Sequence, residues 1–354
     1  MPDLPLDQWV KPEVLAQSAY RVRTVDHRIK LNQNESPWDW SEALKQEVLS
    51  RLAEADWNRY PDLVPTQLKQ KLARAHGVSP NQVVVGKGSN EILQSLAHIT
   101  LRPGDTLCTV TPTFAIYRLL GEQSSARVDE SVLSTAFQVN ATDLLSKSEA
   151  ARLTMLCSPN SPTGNLVDGD LIARVLTGAG GVVVVDEAYA DFSQVTSLPL
   201  LKQHPNLVIT RTFSKAFALA GFRLGYGMMH PDLAREVQKG LLPFNIDLPS
   251  AMAADVLLDH VDWVEEHART IIKERDSLID RLNELPGVKA WPSRSNFFLL
   301  STPLGASETF AGLARGGILV RDVSAYQRCA ELVRVTVGRP EENEALFKAV
   351  KQLI

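Results

Sequence analysis

Thr212-Phe213-Ser214-Lys215-Ala216-Phe217-Ala218-Leu219-Ala220-Gly221-Phe222-Arg223-Leu224-Gly225-Tyr226 follows a short apolar run, Asn206-Leu207-Val208-Ile209-Thr210, that reads as a strand. The stretch sets one lysine, Lys215, among small and aromatic residues, with Ser214 just before it and Arg223 eight residues on. Burial disfavours the charged form of an amine, so a lysine at a strand end in apolar surroundings has a depressed pKa. A neutral amine of that kind is a nucleophile able to condense with an aldehyde. A serine and an arginine beside it can hold a phosphate. Alone, the same pattern also describes a surface lysine after a strand, so its meaning depends on what the neighbouring elements bring to the same place.

Upstream, residues 83–85, 106–110, 127–129, 153–157 and 181–185 read as strands, and residues 91–99 and 171–177, with a further segment beginning at Pro112, read as helices. Continuous β-branched runs separated by helices predict a mostly parallel sheet covered on both faces. Residues 1–30, with prolines at 2, 5 and 12 and a helical pattern over 13–19, read as an arm packing with the smaller domain. Residues 29–37 enter the main body as a loop. Ser41 can cap a helix whose apolar face carries Leu44, Val48, Leu49 and Leu52, and Thr66 opens another that Gly77 closes. Beyond a proline-bearing connection over 241–245 the pattern changes. Residues 250–285 carry helical periodicity for one or two long helices, and short strands over 297–300, 318–320 and 332–337 precede a last helix over 341–353. The expected fold class is α/β: a large domain, 31–245, with a mostly parallel sheet of the seven-stranded type covered by helices, and a smaller α+β domain, 246–354, with an antiparallel sheet.

Composition narrows the function. The chain has 354 residues, 44% of them hydrophobic and 22% charged, with a formal net charge of −4. No basic run appears, so nucleic acid is not expected as a partner. No apolar run approaches the roughly 20 residues that span a bilayer, so no membrane association is expected either. Cys108, Cys157 and Cys329 are scattered without metal-ligand spacing, which fits a reducing cytoplasm better than a disulfide framework. The N-terminus has no basic and apolar leader pattern, so no signal peptide is expected.

Ligands of parallel α/β sheets sit at the carboxyl ends of the strands, and four polar clusters lie at such ends. Gly88-Ser89-Asn90 stands where a helix begins, and helix N-terminal amides bind phosphate. Asn160 follows one strand. Asp186 ends a run of four valines, with Tyr189 three residues on, and a carboxylate buried there needs a partner. A protonated pyridine nitrogen is one such partner; a helix N-terminus is another. Ser214-Lys215 is the fourth cluster. Phe114 offers a flat apolar face for a ring. Arg321 and Arg334 lie on small-domain strands, where an arginine facing a cleft can capture a carboxylate or phosphate. An aldehyde for the lysine, a phosphate for Ser214 and Arg223, and a ring nitrogen for Asp186 together describe pyridoxal 5'-phosphate.

With these residues set out, the chain resembles the fold-type I pyridoxal-phosphate aminotransferases and, among them, the histidinol-phosphate aminotransferases, over nearly its whole length. Ser214-Lys215 through Tyr226 is similar to the family's lysine-attachment signature. Ser158-Pro159-Asn160-Ser161-Pro162-Thr163-Gly164 and Asp186-Glu187-Ala188-Tyr189 resemble its companion motifs, and Arg59-Tyr60-Pro61-Asp62 the loop whose tyrosine reaches the cofactor phosphate of the neighbouring subunit. Leu31-Asn32-Gln33-Asn34-Glu35-Ser36-Pro37 resembles the N-terminal motif, with Gln33 and Ser36 less usual choices, and Phe114 stands where relatives often have Tyr. The resemblance implies that Lys215 binds the cofactor covalently and then moves the proton between the substrate carbon and the cofactor. It implies that Asp186 pairs with the ring nitrogen and that Asn160 and Tyr189 hold the ring oxygen. Gly88, Ser89, Asn90, Ser214 and Arg223, with Tyr60 of a second copy in a homodimer, would hold the phosphate. Arg321 and Arg334, with Asn34 and with Tyr20 from the arm, would bind the substrates. The implied reaction is histidinol phosphate plus 2-oxoglutarate giving imidazole-acetol phosphate plus glutamate, in histidine biosynthesis.

Competing readings share the cofactor residues that the resemblance implies and differ in the substrate pocket: an aminotransferase for aromatic amino acids or another amine, and an amino-acid phosphate decarboxylase on the same fold. A non-catalytic ligand sensor would carry an extra DNA-binding segment, and none is visible. A nicotinamide-binding protein would carry Gly-x-Gly-x-x-Gly after a strand, which is absent.

Overall fold

A computed structural model describes residues 5–18 and 25–354. Its strands are β1 (Ile29–Lys30), β2 (Val83–Gly86), β3 (Thr106–Thr111), β4 (Arg127–Val132), β5 (Leu153–Cys157), β6 (Val182–Asp186), β7 (Leu207–Thr212), β8 (Gly225–Met229), β9 (Lys289–Ala290), β10 (Phe297–Ser301), β11 (Ile318–Leu319), β12 (Arg321–Asp322) and β13 (Val333–Thr336). Seven of them form one sheet in the order β2-β8-β7-β6-β5-β3-β4. Only β8 runs antiparallel to its neighbours, so β2, β3, β5, β6 and β7 all end on the same edge. The expected α/β class and seven-stranded sheet are therefore present.

The valine run of β6 is readable because both of its faces are covered. Val183, Val184 and Val185 are buried, as are Leu153, Met155 and Leu156 of β5 and Leu207, Val208 and Ile209 of β7. Helix Ser89–Thr100 packs on β2, β8 and β7, helix Pro231–Lys239 on β2 and β8, and helix Ala141–Ala150 on β3 and β4. Each fully buried aliphatic side chain contributes about 1.5–3 kcal/mol, so the cluster at the sheet centre holds the strand ends rigidly.

The second sheet is antiparallel, β12-β13-β10-β9, as expected for the smaller region. Residues 250–285 form two helices, Leu248–Leu258 and Val261–Asn283, interrupted at Asp259-His260. The arm touches both regions. Helix Pro12–Leu15 packs on helix Ile116–Gln123, with Lys11 Nζ donating to Gln123 O at 3.3 Å, whereas β1 pairs parallel with β11.

Ser41 accepts from the Leu44 amide and caps helix Glu42–Ala53, and Gly77 closes helix Thr66–His76 at φ 63°. Leu49 departs from expectation: Leu44 and Val48 are buried, but Leu49 is 53% exposed. Five residues after Leu44 it has rotated about 140° away from that stripe. Strand β8 was not recognisable in the sequence because it contains Gly225 and Gly227 in place of β-branched residues. A Cβ on Gly225 would lie 2.3 Å from the Ser89 amide nitrogen. The glycine is there because the Gly88-Ser89 turn lies directly against the strand. Among the described residues no helix is long and apolar enough to cross a membrane.

Candidate active site

Lys215 follows the end of β7 in a half-buried position. Its Nζ donates to the carbonyl oxygen of Gln33 at 2.8 Å and lies 5.9 Å from the Tyr189 ring centroid. Burial, and then the Arg334 guanidinium nearby, bring the amine down to about 7. The expected depressed lysine is therefore a feature of the folded chain.

Asp186, at the end of β6, is 3% exposed. Register pairs it with Cys157 on one side and Thr210 on the other. Thr210 Oγ1 donates to Oδ1 at 3.0 Å, and the Tyr117 hydroxyl donates to Oδ2 at 2.8 Å. Burial pushes the carboxyl up, and these two donors pull it back. The sequence reading did not identify Tyr117 or Thr210. Tyr117, in the first turn of helix Ile116–Gln123, lies three residues after Phe114, and the two rings meet edge to face at 5.6 Å, so the approach to this helix and its start carry both the stacking candidate and the support for Asp186.

The phosphate candidates converge. Arg223 Nη1 donates to Ser214 Oγ at 3.1 Å. A Cβ on Gly88, which has φ 73°, would lie 2.9 Å from Arg223 Nη2. Gly88 precedes helix Ser89–Thr100, which begins with Ser89 and Asn90. The Ser214 hydroxyl, the exposed Arg223 guanidinium and the first turn of this helix therefore line one candidate phosphate site, where the guanidinium takes up the space that a Cβ on Gly88 would need.

Tyr189 is buried, and its hydroxyl accepts from Asn34 Nδ2 at 2.9 Å. Burial, partly opposed by Arg334, raises the phenol to about 12. Asn160 is held on every side: Nδ2 donates to Pro112 O at 2.9 Å and to Thr163 Oγ1 at 2.7 Å, and Oδ1 accepts from Thr113 Oγ1 at 2.6 Å. Both amide hydrogens of Asn160 are thus already engaged by the protein. Arg334 donates through Nη1 to Ser161 Oγ at 3.2 Å and through Nη2 to Asn32 O at 2.8 Å, over the Phe297 ring at 5.2 Å. Arg321 sits directly across from Arg334 in the β12–β13 register, so both side chains emerge on one face of the sheet. Tyr60 stands apart from this group, 82% exposed and stacked on Phe244 at 4.6 Å. Tyr20 lies outside the described residues.

These groups fit pyridoxal phosphate. A buried carboxyl with one face of two donors suits a protonated ring nitrogen, the donor set beside Gly88 suits a phosphate, and a half-buried amine near neutrality suits an aldehyde. Lys215, Asp186, Tyr189, Ser214, Arg223 and Gly88 are the residues that would hold it.

Comparison with known proteins agrees with this chemistry. A family model described as aminotransferase class I and II matches residues 26–350. A histidinol-phosphate aminotransferase of Thermococcus gammatolerans is 37% identical over 334 residues, covering 94% of each chain. One from Chlorobaculum tepidum is 35% identical over 328 residues, covering 92% of this chain and 94% of that protein. Among solved structures, histidinol-phosphate aminotransferase from Sinorhizobium meliloti in complex with pyridoxal-5'-phosphate has the same fold, with a TM-score of 0.86 at 22% identity over 97% of each chain.

Proposed function

The chain belongs to the class I and II aminotransferases, with histidinol-phosphate aminotransferases as full-length relatives, and on that premise we propose that it transfers the amino group of L-histidinol phosphate to 2-oxoglutarate. The products are imidazole-acetol phosphate and L-glutamate, and the reaction belongs to histidine biosynthesis. The observation that carries the substrate reading is the opposed pair Arg321 and Arg334. Two cations directly across a sheet repel, and a phosphate or carboxylate between them relieves that repulsion. The same pair can receive the phosphate of one substrate and the carboxylate of the other in turn.

Bound pyridoxal phosphate supplies an aldehyde for the amino group and a protonated ring that accepts the electrons left when the substrate carbon loses its proton. The protein's own residues do the rest. Lys215 Nζ, brought down to about 7 by burial, would take up that proton and return it on the other side of the transfer. Asp186, fixed by Tyr117 and Thr210, would pair with the ring nitrogen and keep it protonated. Ser214, Arg223 and the amides after Gly88 would hold its phosphate. Phe114 would offer a face to the ring, and Arg334 and Arg321 would orient the substrate's far end.

Several further elements of the reading have support of their own. A homodimer in which Tyr60 reaches the second copy's phosphate is supported by the exposed apolar side chains around it: Trp57 is 78% exposed, Leu242 75% and Leu63 56%. Working regions of 1–30, 31–245 and 246–354 are supported by the change from the large sheet to the small one after the connection near 241–245. A cytoplasmic location is supported by three free, buried cysteines. Tyr20 completes the substrate side in this reading, and Asn34 borders it from behind Tyr189.

The deciding experiment compares kcat/KM for histidinol phosphate, phenylalanine and tyrosine with 2-oxoglutarate as acceptor. Histidinol phosphate is expected to lead. A preference for either aromatic acid by about tenfold, roughly 1.4 kcal/mol, would overturn the assignment. A strictly monomeric protein with full activity would overturn the role of Tyr60.

A further inference from the structure

Asn34 is 1% exposed and holds a left-handed backbone, φ 55°, which asparagine tolerates better than most residues. It is bonded at every polar atom. Its backbone N–H donates to Thr336 Oγ1 at 3.0 Å, and Thr336 Oγ1 donates back to Asn34 Oδ1 at 3.1 Å. Its carbonyl accepts from Asn296 Nδ2 at 3.0 Å, and its own Nδ2 donates to the Tyr189 hydroxyl at 2.9 Å.

The direction of these bonds follows from donor counting. A threonine hydroxyl has one proton. Thr336 accepts from a backbone N–H, so its proton is the one shared with Oδ1. That assigns the oxygen of the Asn34 amide to the Thr336 side and the nitrogen to the Tyr189 side. The Tyr189 oxygen then receives a proton from Asn34 and is left with its own proton to give elsewhere. Ser161, whose Oγ accepts from Arg334 Nη1, is a second hydrogen-bond partner that lowers the phenol's pKa, so donors crowd the acceptor side of this oxygen.

We propose that Asn34 is a positioning residue for Tyr189: its amide, held in one orientation by Thr336, occupies the acceptor side of the phenol and directs the phenol proton toward the ring oxygen of pyridoxal phosphate. The inference rests on the reading of Tyr189 as a cofactor contact and deepens it. It gives Asn34 a task distinct from touching substrate. It also makes the relay depend on both regions of the fold, because Thr336 and Asn296 belong to β13 and to the approach to β10, while Tyr189 follows β6.

The test is the pH titration of the visible absorption of the lysine-bound cofactor, read without substrate. A donor at the ring oxygen stabilises its ionised form, so losing that donor raises the midpoint. Asn34→Gly retains the left-handed backbone and deletes the amide. Asn34→Asp keeps the shape but puts an acceptor opposite the phenol, which draws the phenol proton away from the cofactor. Both are expected to raise the midpoint by about one unit and lower kcat about tenfold, with KM for the amino donor moving less than about twofold, the scale of one hydrogen bond. Thr336→Val, which frees the amide to turn over, shifts the midpoint the same way by less. In a Tyr189→Phe background, Asn34→Gly adds nothing further. The other groups facing Tyr189, namely Arg334 of β13, Cys157 of β5 and Lys215, are unchanged in all of these variants.

A purely space-filling Asn34 would tolerate the isosteric Asp. A wild-type midpoint in Asn34→Asp, or full additivity with Tyr189→Phe, therefore overturns the proposal. If Asn34→Gly fails to fold, Asn34→Asp and Thr336→Val decide it by the same criterion. Because no substrate is present, a chain that shows these shifts but ignores histidinol phosphate overturns the substrate reading alone.

Discussion

The hydroxyl of Tyr117 donates a 2.8 Å hydrogen bond to Oδ2 of Asp186, and both residues are buried within the sheet-and-helix core. Tyr117→Phe keeps the ring and its edge-to-face contact with Phe114 but leaves one oxygen of a buried carboxylate without its donor. An unmet buried acceptor costs roughly 1–3 kcal/mol. With its anion less well supported, Asp186 is expected to hold the cofactor about tenfold more weakly and to lower kcat/KM by a similar factor. Fluorescence titration of cofactor-free protein with pyridoxal phosphate measures the first effect. A Tyr117→Phe protein with wild-type affinity and wild-type kcat/KM would show that Thr210 alone suffices.

The depressed amine of Lys215 gives a pH dependence of known sign. Below about 7 the amine is protonated and cannot attack an aldehyde; above it, the neutral nucleophile dominates. The second-order rate of pyridoxal phosphate capture by the cofactor-free chain should therefore rise with pH, with a midpoint near 7 and a plateau beyond. A free lysine would give a midpoint near 10.4. Arg334 is the second cause of the depression, so Arg334→Gln should move the midpoint upward. A capture rate still climbing steeply between pH 8 and 10 in the unmodified chain would contradict the burial of Lys215.

What could be read from the sequence, and what could not, follows from how far each residue's meaning travels along the chain. Lys215, Asp186 and Gly88 stand where a β-branched run stops, and Asn160 follows an apolar run, so that each run marks the binding edge. Tyr117, Thr210 and Thr336 matter only through partners 69, 24 and 302 residues away in the chain, and no local pattern announces them. Thr210 was within reach, because it occupies the position of β7 that pairs with Asp186 of β6. Strand β8 is hidden by Gly225, which the adjoining Gly88-Ser89 turn requires, and by Gly227, which packs against Met229 and Ile92. Leu49 shows that apolarity alone does not place a residue: five positions after Leu44 it faces about 140° away from the buried stripe and is exposed.

Two glycines border the candidate phosphate site, and they should respond differently to an added methyl. On Gly88 the methyl would meet Arg223 Nη2 at 2.9 Å, the far end of a flexible side chain, although φ is 73°. On Gly225 it would meet the backbone at Ser89 N, 2.3 Å away, and at Gly88 C, 2.6 Å away. Gly88→Ala should fold and lose cofactor affinity by about tenfold, on the scale of a strained left-handed residue. Gly225→Ala must push the phosphate turn itself and should lose thermal stability as well, by about 2 kcal/mol or more. Melting curves with and without pyridoxal phosphate separate the two. Equal melting temperatures for Gly225→Ala and the unmodified chain would refute the close approach.

The opposed arginines make a prediction that needs no turnover. Arg321 and Arg334 share one face of the β12–β13 pair, and like charges directly across a sheet are destabilising. An anion between them relieves that cost, and whatever binds only the folded state raises its melting temperature in proportion to occupancy. Inorganic phosphate should therefore raise the melting temperature of the cofactor-loaded protein, whose other phosphate site is already filled. Arg321→Gln should remove most of that rise and increase KM for histidinol phosphate by at least about tenfold, the scale of a lost charge-assisted hydrogen bond. Its kcat should change less, because Arg334, not Arg321, is the guanidinium that lowers the Lys215 amine most. Arg334→Gln should do more: it also removes the donors to Ser161 Oγ and Asn32 O and the positive charge beside Lys215. It should lower kcat as well as raise KM. If phosphate stabilises the Arg321→Gln protein as strongly as the unmodified chain, the anion is bound elsewhere and the pair is not the substrate clamp.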